Sequence, residues 1–178
     1  MSEQKVTRKP KRIPYGMMNF EHVRRDNCYY VDKTRFIEKI EDANKYFFFI
    51  RPRRFGKSLT LSMLAHYYDV NMKKRFDELF GDLYIGSHPT PERNQYLILT
   101  LNFAAIHADL DNYKEEMDRS CGMTFYFFCK KYASFFPEDT IERLERLDSA
   151  VNQLEFICDL CKSLDLKIYL FIDEYDHF

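Results

Sequence analysis

Two short stretches carry side chains suited to holding a polyphosphate and a divalent cation. Gly56-Lys57-Ser58 follows the apolar residues 46–50 and the segment Arg51-Pro52-Arg53-Arg54-Phe55, and Asp173-Glu174 closes an apolar run that begins at Lys167. In the first stretch, backbone N–H groups converge on phosphate oxygens, and the helix behind them aims its N-terminal partial positive charge at the same atoms. Gly56 lets the backbone approach without a Cβ, the Lys57 ammonium neutralises β and γ oxygens, and the Ser58 hydroxyl ligates Mg²⁺. The expected nucleotide-binding set is therefore Arg54, Phe55, Gly56, Lys57, Ser58 and Leu59. In the second stretch, Asp173 is placed to hold the Mg²⁺ shell together with Ser58, and Glu174 to polarise an attacking water.

Each signal is ordinary by itself. A Gly-Lys-Ser tripeptide arises by chance in about one chain in ten of this length, and a buried strand with a polar end is common. The pattern GxxxxGK[ST] also asks for a first glycine where this chain has Arg51, although Pro52 fixes φ for a turn. Arg53 and Arg54 suit a phosphate, a partner or a solvated loop tip alike. The weight comes from finding both stretches in the order that phosphate-loop chemistry requires.

Positioning these residues requires strand, loop and helix. Residues 46–50 read as the strand before the loop, and Leu59, Leu61, Met63, Leu64, Tyr67 and Tyr68 as the mostly buried helix after it. Upstream, Ile13-Pro14-Tyr15-Gly16 is a fixed turn and Tyr29-Tyr30-Val31 a short β-prone piece. Asp32 is the expected N-cap of a helix through Thr34, Phe36, Ile37 and Ile40. This segment suits either the adenine side of a nucleotide or a packing role at the sheet edge. Downstream, Phe76, Leu79 and Phe80 mark a short helix with Gly81 at C′, and Gly86, Pro89 and Pro91 punctuate a loop.

Residues 96–103 form a second strand, and the spacing of Leu110, Tyr113, Met117, Cys121, Phe125, Phe128 and Tyr132 predicts a long helix to about Ala133, weakened at Gly122. Its Met and aromatic stripe reads as core. Pro137 opens a helix bearing Ile141, Leu144 and Leu147, and Asp148-Ser149 caps another carrying Val151, Leu154, Ile157, Cys158 and Cys161. The acidic-ended strand closes the series. Strands alternating with helices predict an α/β fold with a mostly parallel sheet, of phosphate-loop NTPase type, and ligands at the strands' carboxyl ends.

Composition narrows the classes. At 178 residues and 46% hydrophobic the length fits one globular domain, and a net charge of −1 supplies no whole-molecule field for nucleic acid or anionic lipid. Residues 1–12 read as a basic flexible arm and residues 13–178 as the folded domain. No run approaches the ~20 apolar residues that span a bilayer. Five cysteines without framework spacing fit reduced thiols in a cytoplasm. Cys158-x-x-Cys161 is the one suggestive pair, and with no second pair it reads as coincidence rather than metal or redox site.

With these residues in view the sequence resembles the AAA-ATPase-like family of prokaryotic proteins over nearly its whole length. The carriers are Ile13-Pro14-Tyr15-Gly16, Tyr29-Tyr30-Val31-Asp32-Lys33-Thr34, Arg51-Pro52-Arg53-Arg54-Phe55-Gly56-Lys57-Ser58, Leu79-Phe80-Gly81-Asp82-Leu83-Tyr84-Ile85-Gly86 and Ile172-Asp173-Glu174-Tyr175-Asp176. The resemblance implies an AAA-type ATPase core, often joined to a C-terminal PD-(D/E)XK nuclease-like domain, with ATP and Mg²⁺ as ligands. It also makes Arg51 a family trait.

Such ATPases continue past the second acidic stretch with a sensor strand, a further core strand and an arginine finger, so a chain ending at Phe178 is expected to be truncated after the strand that ends in Asp173-Glu174, which resembles a Walker B strand. It would then need a second copy or a complementing C-terminal partner to hydrolyse ATP, since an arginine finger is worth about 10³ to 10⁵ in rate. The competing expectations are a non-enzymatic pseudo-ATPase or interaction module, and a fragment linked to nucleic-acid processing through the basic arm and Arg51, Arg53 and Arg54.

Overall fold

The structure, a computed structural model, describes residues 10–43, 46–50, 52, 55–104 and 112–174. The chain divides into two compact units, Met1–Tyr67 with Lys74–Pro91 and Tyr68–Lys73 with Glu92–Phe178.

The first unit is helical. Asn19 caps α1 (Phe20–Arg25) by accepting the His22 N–H at 3.1 Å, and α2 (Phe36–Glu41), α3 (Lys57–Tyr68), α4 (Phe76–Phe80) and α5 (Tyr84–Ser87) follow. Its core is aromatic: Phe20, Tyr67, Phe76 and Phe80 are buried with Val23, Ile37, Leu64, Leu79 and Ile85. The Phe20 and Phe80 rings lie 4.9 Å apart, and Tyr67 meets Phe80 edge-on at 5.6 Å, offset and edge arrangements that suit the ring quadrupoles. Arg75 ties the rim by bridging Glu21 at 2.8 Å and Glu78 at 3.0 Å. Hydrogen bonding to Arg75 holds the Glu21 carboxyl below its ordinary range.

Four expectations for this unit are corrected, one of them, the Asp32 cap, with the site below. Residues 46–50 form no strand, and Tyr46, Phe48 and Ile50 are exposed. A strand exists through its ladder, and the described part of this unit offers only the isolated bridge between Arg12 and Cys28. Gly81 sits at φ −56°, in the right-handed region rather than the left-handed C′ geometry. Gly86 lies inside α5 instead of a loop, and a Cβ there would stand 2.1 Å from the Phe80 carbonyl oxygen, so close backbone approach explains the glycine.

The second unit carries the sheet. β1 (Tyr96–Asn102) and β2 (Lys167–Asp173) pair in parallel, in a register running from Tyr96 opposite Lys167 to Asn102 opposite Asp173. Parallel neighbours need a long crossover, here supplied by α6 (Tyr113–Lys131), α7 (Thr140–Glu145) and α8 (Ala150–Ser163). Leu97, Leu99 and Leu101 of β1 close a core with Cys121, Phe125, Phe128, Tyr132, Leu144, Ile157 and Cys161. The aromatic stripe of α6 is thus core, as its spacing predicts. Gly122 does not interrupt α6; a Cβ there would stand 3.1 Å from Gln153 Oε1. Ser149 caps α8 as expected, accepting the Asn152 N–H at 3.3 Å. By its elements the chain is α/β, with a small parallel sheet flanked by helices.

Candidate functional site

The loop before α3 is built around one backbone feature. The Phe55 N–H donates to the Pro52 carbonyl at 3.3 Å, closing the turn that Pro52 predicts, and Gly56 follows at φ +77°. That left-handed conformation is nearly free for glycine and strained for any residue with a Cβ. Among the described residues nothing lies within 4 Å of the position a Gly56 Cβ would take, so the backbone is open to an approaching group. Lys57 and Ser58 occupy the first turn of α3, half-buried, and Phe55 is exposed. Thr60 secures the junction: its N–H and hydroxyl both donate to the Gly56 carbonyl, at 3.0 and 2.9 Å. Arg51, Arg53 and Arg54 lie outside the described residues, as do Tyr175, Asp176 and most of the basic arm.

Beside this loop is a cavity of about 280 Å³ lined by Pro14, Tyr29, Tyr30, Val31, Lys33, Gly56, Leu59 and Thr60. Gly56 and Leu59 are sequence-derived site residues. Pro14, Lys33 and Thr60 have no chemical spacing that flags them, although the motifs around residues 13–16 and 29–34 contain the first two.

The wall bearing Tyr29 to Lys33 is fixed from behind. The Tyr29 N–H donates to the Arg12 carbonyl at 2.7 Å, and the Tyr30 ring meets Phe20 edge-on at 5.3 Å. Burial raises the Tyr30 phenol above its ordinary range, so it stays a neutral donor at neutral pH. Asp32 does not cap α2, whose N-cap is Arg35 with no side-chain bond. Its Oδ1 accepts the Thr34 N–H at 2.8 Å and hydroxyl at 2.7 Å, and its Oδ2 accepts the Tyr84 N–H at 2.7 Å. Thr34 Oγ1 in turn accepts the Ile85 N–H at 3.1 Å. Asp32 and Thr34 therefore cap α5, some fifty residues downstream. Burial would raise the Asp32 carboxyl, but the bonds from Tyr84 and Thr34 outweigh it and hold the group below its ordinary value.

The second acidic stretch sits at the carboxyl end of β2, where parallel sheets present their ligands. Asp173 is the last residue of the strand and is buried, with only 8% of its surface exposed. Its carbonyl accepts the Phe103 N–H at 3.1 Å. Glu174 follows at φ +55°, a conformation uncommon outside glycine, with its N–H donating to Asp173 Oδ1 at 3.0 Å. Among the described residues no group of three His, Cys, Asp or Glu side chains gathers around a metal-sized space. A Mg²⁺ ion on a nucleotide needs none, since it takes one or two protein oxygens and completes its shell with phosphate and water.

Of the Cys158-x-x-Cys161 pair, Cys161 is buried and Cys158 exposed. Burial pushes the Cys161 thiol up to about 12 and raises Cys158, and all five cysteines are unlinked. No helix among the described residues is long and apolar enough to cross a membrane.

Comparison with known proteins gives a family. The AAA-ATPase-like family model, described as a predicted AAA-ATPase, matches residues 14–178. A protein of Azotobacter chroococcum mcd 1, described as an uncharacterized protein in the vnfD 5′ region, is 44% identical over 62 residues, which is 34% of this chain and 12% of that protein's length. This chain thus aligns with about an eighth of that relative. No solved structure matches.

Proposed function

We propose, for a chain that belongs to the AAA-ATPase-like family, that the loop before α3 binds the phosphates of Mg-ATP. Membership carries nucleotide binding in general; the choice of ATP, the metal and the residue roles are our reading. The observation that carries it is Gly56, left-handed and open, set directly before the first turn of a helix whose first two residues are Lys57 and Ser58. Backbone N–H groups from Arg54 to Leu59 and the Lys57 ammonium would hold the phosphates. Ser58 and Asp173 would hold Mg²⁺, which supplies charge neutralisation at the transferring phosphate. Glu174 would orient the attacking water in a complete or assembled form, because a transition-state arginine is not assigned in this chain. Five unlinked cysteines support work in the cytoplasm.

The test is thermal unfolding with and without Mg-ATP, with Lys57→Ala as control. A ligand at a hundred times its dissociation constant stabilises by about 2.7 kcal/mol, and each kcal/mol moves the midpoint of a chain this size by roughly 2 to 4 °C. A rise of about 5 to 10 °C, lost in Lys57→Ala, is expected. A cooperative melt indifferent to Mg-ATP would instead favour a non-enzymatic interaction module.

A further inference from the structure

We propose that the outer edge of β2 pairs antiparallel with the same edge of a second copy of this chain, so that two small sheets join into one about a two-fold axis at Leu170. The surface lies wholly within the second unit, and the proposal is independent of the phosphate-binding reading.

The first observation is an open edge. In a parallel ladder, alternate residues turn both N–H and C=O to the same side. The Asp173 carbonyl accepts the Phe103 N–H at 3.1 Å, which places Asp173, and with it Phe171, Tyr169 and Lys167, on the side of β1. Ile168, Leu170 and Ile172 therefore turn their N–H and C=O groups outward, and among the described residues β1 is the strand neighbour of β2 on the other side alone. The outer edge of β1 is closed instead: Asp69 bridges Tyr96 there, and the Ile98 N–H donates to the Tyr132 hydroxyl at 2.8 Å. With one edge open and the other closed, association through strands stops at two chains rather than running on.

The second observation is apolar surface along that edge. Leu170 and Ile172 remain 41% and 46% exposed, whereas Leu99 and Leu101, which oppose them in the ladder, are buried. Between Lys167 and Asp173 the strand has no charge, proline or glycine, the devices that keep an exposed edge from pairing. The third observation is self-complementarity, which selects the occupant. Run antiparallel to itself about Leu170, the strand sets Leu170 against Leu170, Ile168 against Ile172, Tyr169 against Phe171 and Lys167 against Asp173. Apolar meets apolar, ring meets ring, and opposite charges meet at both ends, cross-strand pairs that stabilise a ladder. A parallel pairing in register would set like charges against one another. The antiparallel register also makes Ile168, Leu170 and Ile172 the hydrogen-bonded rungs, and these are the residues whose N–H and C=O groups face outward.

The experiment is sedimentation equilibrium of the 178-residue chain from dilute to concentrated solution, with amide hydrogen exchange alongside. It takes wild type, Leu170→Lys, Leu170→Glu and an equimolar mixture of the two variants, and a cooperative melt verifies each fold. Wild type is expected to move from the 21.6 kDa of one chain to twice that mass, with exchange at the Ile168, Leu170 and Ile172 amides slowing in step. Each variant sets like charges face to face at the axis and should stay at one chain. The mixture sets an ammonium against a carboxylate and should regain two chains, a rescue that a merely structural role of Leu170 would not produce. A one-chain mass at every wild-type concentration overturns the pairing. So does a two-chain mass that leaves those amides exchanging freely or persists in both variants, since the interface then lies elsewhere. Amides already protected in the single chain overturn it as well, because the edge is then covered from within, and a mass that grows past two chains overturns the closed two-fold. Where a variant does not fold, the wild-type mass and exchange decide by themselves.

Discussion

The helices α5 and α8 begin in opposite ways. α8 runs for 14 residues, and its own Ser149, adjacent in sequence, accepts the Asn152 N–H. α5 has four residues and no side-chain cap of its own, and its first two N–H groups are taken by Asp32 and Thr34 from 52 and 51 positions upstream. A helix of one turn has almost no internal hydrogen bonding to sustain it, so α5 exists because remote side chains meet its orphan donors. Those same side chains flank Lys33 in the segment that walls the cavity. At α5, capping and construction of the cavity wall are one task; at α8, the neighbouring Ser149 and Asp118 of α6 share the capping, and the sheet end is positioned separately.

That contrast breaks most sharply at Asp32. Asp32→Ala removes the acceptor for the Thr34 and Tyr84 N–H groups, and loss of charge-assisted bonds of this kind is worth about 2 to 3 kcal/mol. The expected readouts are a lower melting midpoint and rapid hydrogen exchange at the Tyr84 and Ile85 amides, with the α8 amides unaffected. The pH dependence follows from the depressed carboxyl. Its folded value lies below the unfolded value of about 3.9, so its contribution is complete above that pH and lost as pH falls through the folded value. Asp32→Ala should therefore lie below wild type at neutral pH, and the gap should narrow as acid protonates the carboxyl; a gap that does not narrow in acid would remove the charge from the account of the cap.

Thr34→Val is the next effect in size. Thr34 is fully buried, and the substitution keeps its shape while leaving the Ile85 N–H without its acceptor. An unsatisfied buried donor costs about 1 to 3 kcal/mol. Thr34→Ser, which keeps the oxygen, should recover most of the lost midpoint. Equal losses in the two variants would assign the effect to methyl packing instead of the hydrogen bond.

The same contrast explains what was legible in the sequence. The second unit was read nearly element by element: period-3.6 spacing gave α6 and α8, Ser149 announced its helix, and the two apolar runs paired in parallel as expected. These signals are local, and local chemistry decides them. In the first unit the turn at Gly16, the helix after Ser58 and the special backbone at Gly56 were equally readable. Residues 46–50 look like a strand in the sequence and are none, because β-propensity says nothing about whether a partner strand is present. Asp32 looks like the cap of the helical pattern it precedes, and only tertiary structure shows that one oxygen holds Thr34 and the other the first N–H of α5. The cavity lining followed the same rule, since Pro14, Tyr30 and Thr60 are drawn together by folding, with no spacing to betray them.

The smallest effect is expected where the sequence was most transparent. Ser149→Ala removes an acceptor at 3.3 Å at the head of α8, and cap losses run from about 0.5 to 2 kcal/mol. The low end applies, because α8 has a second brace that its own sequence does not reveal: Asp118 of α6 accepts the Ala150 N–H at 2.9 Å. Asp118→Ala alone should match or exceed Ser149→Ala, and the double variant should exceed the sum of the two if each cap covers for the other. Strict additivity would show that the acceptors serve separate N–H groups without compensation. In that case the remote carboxylate would hold its own share of α8 beside Ser149, whereas α5 has remote acceptors and no local one.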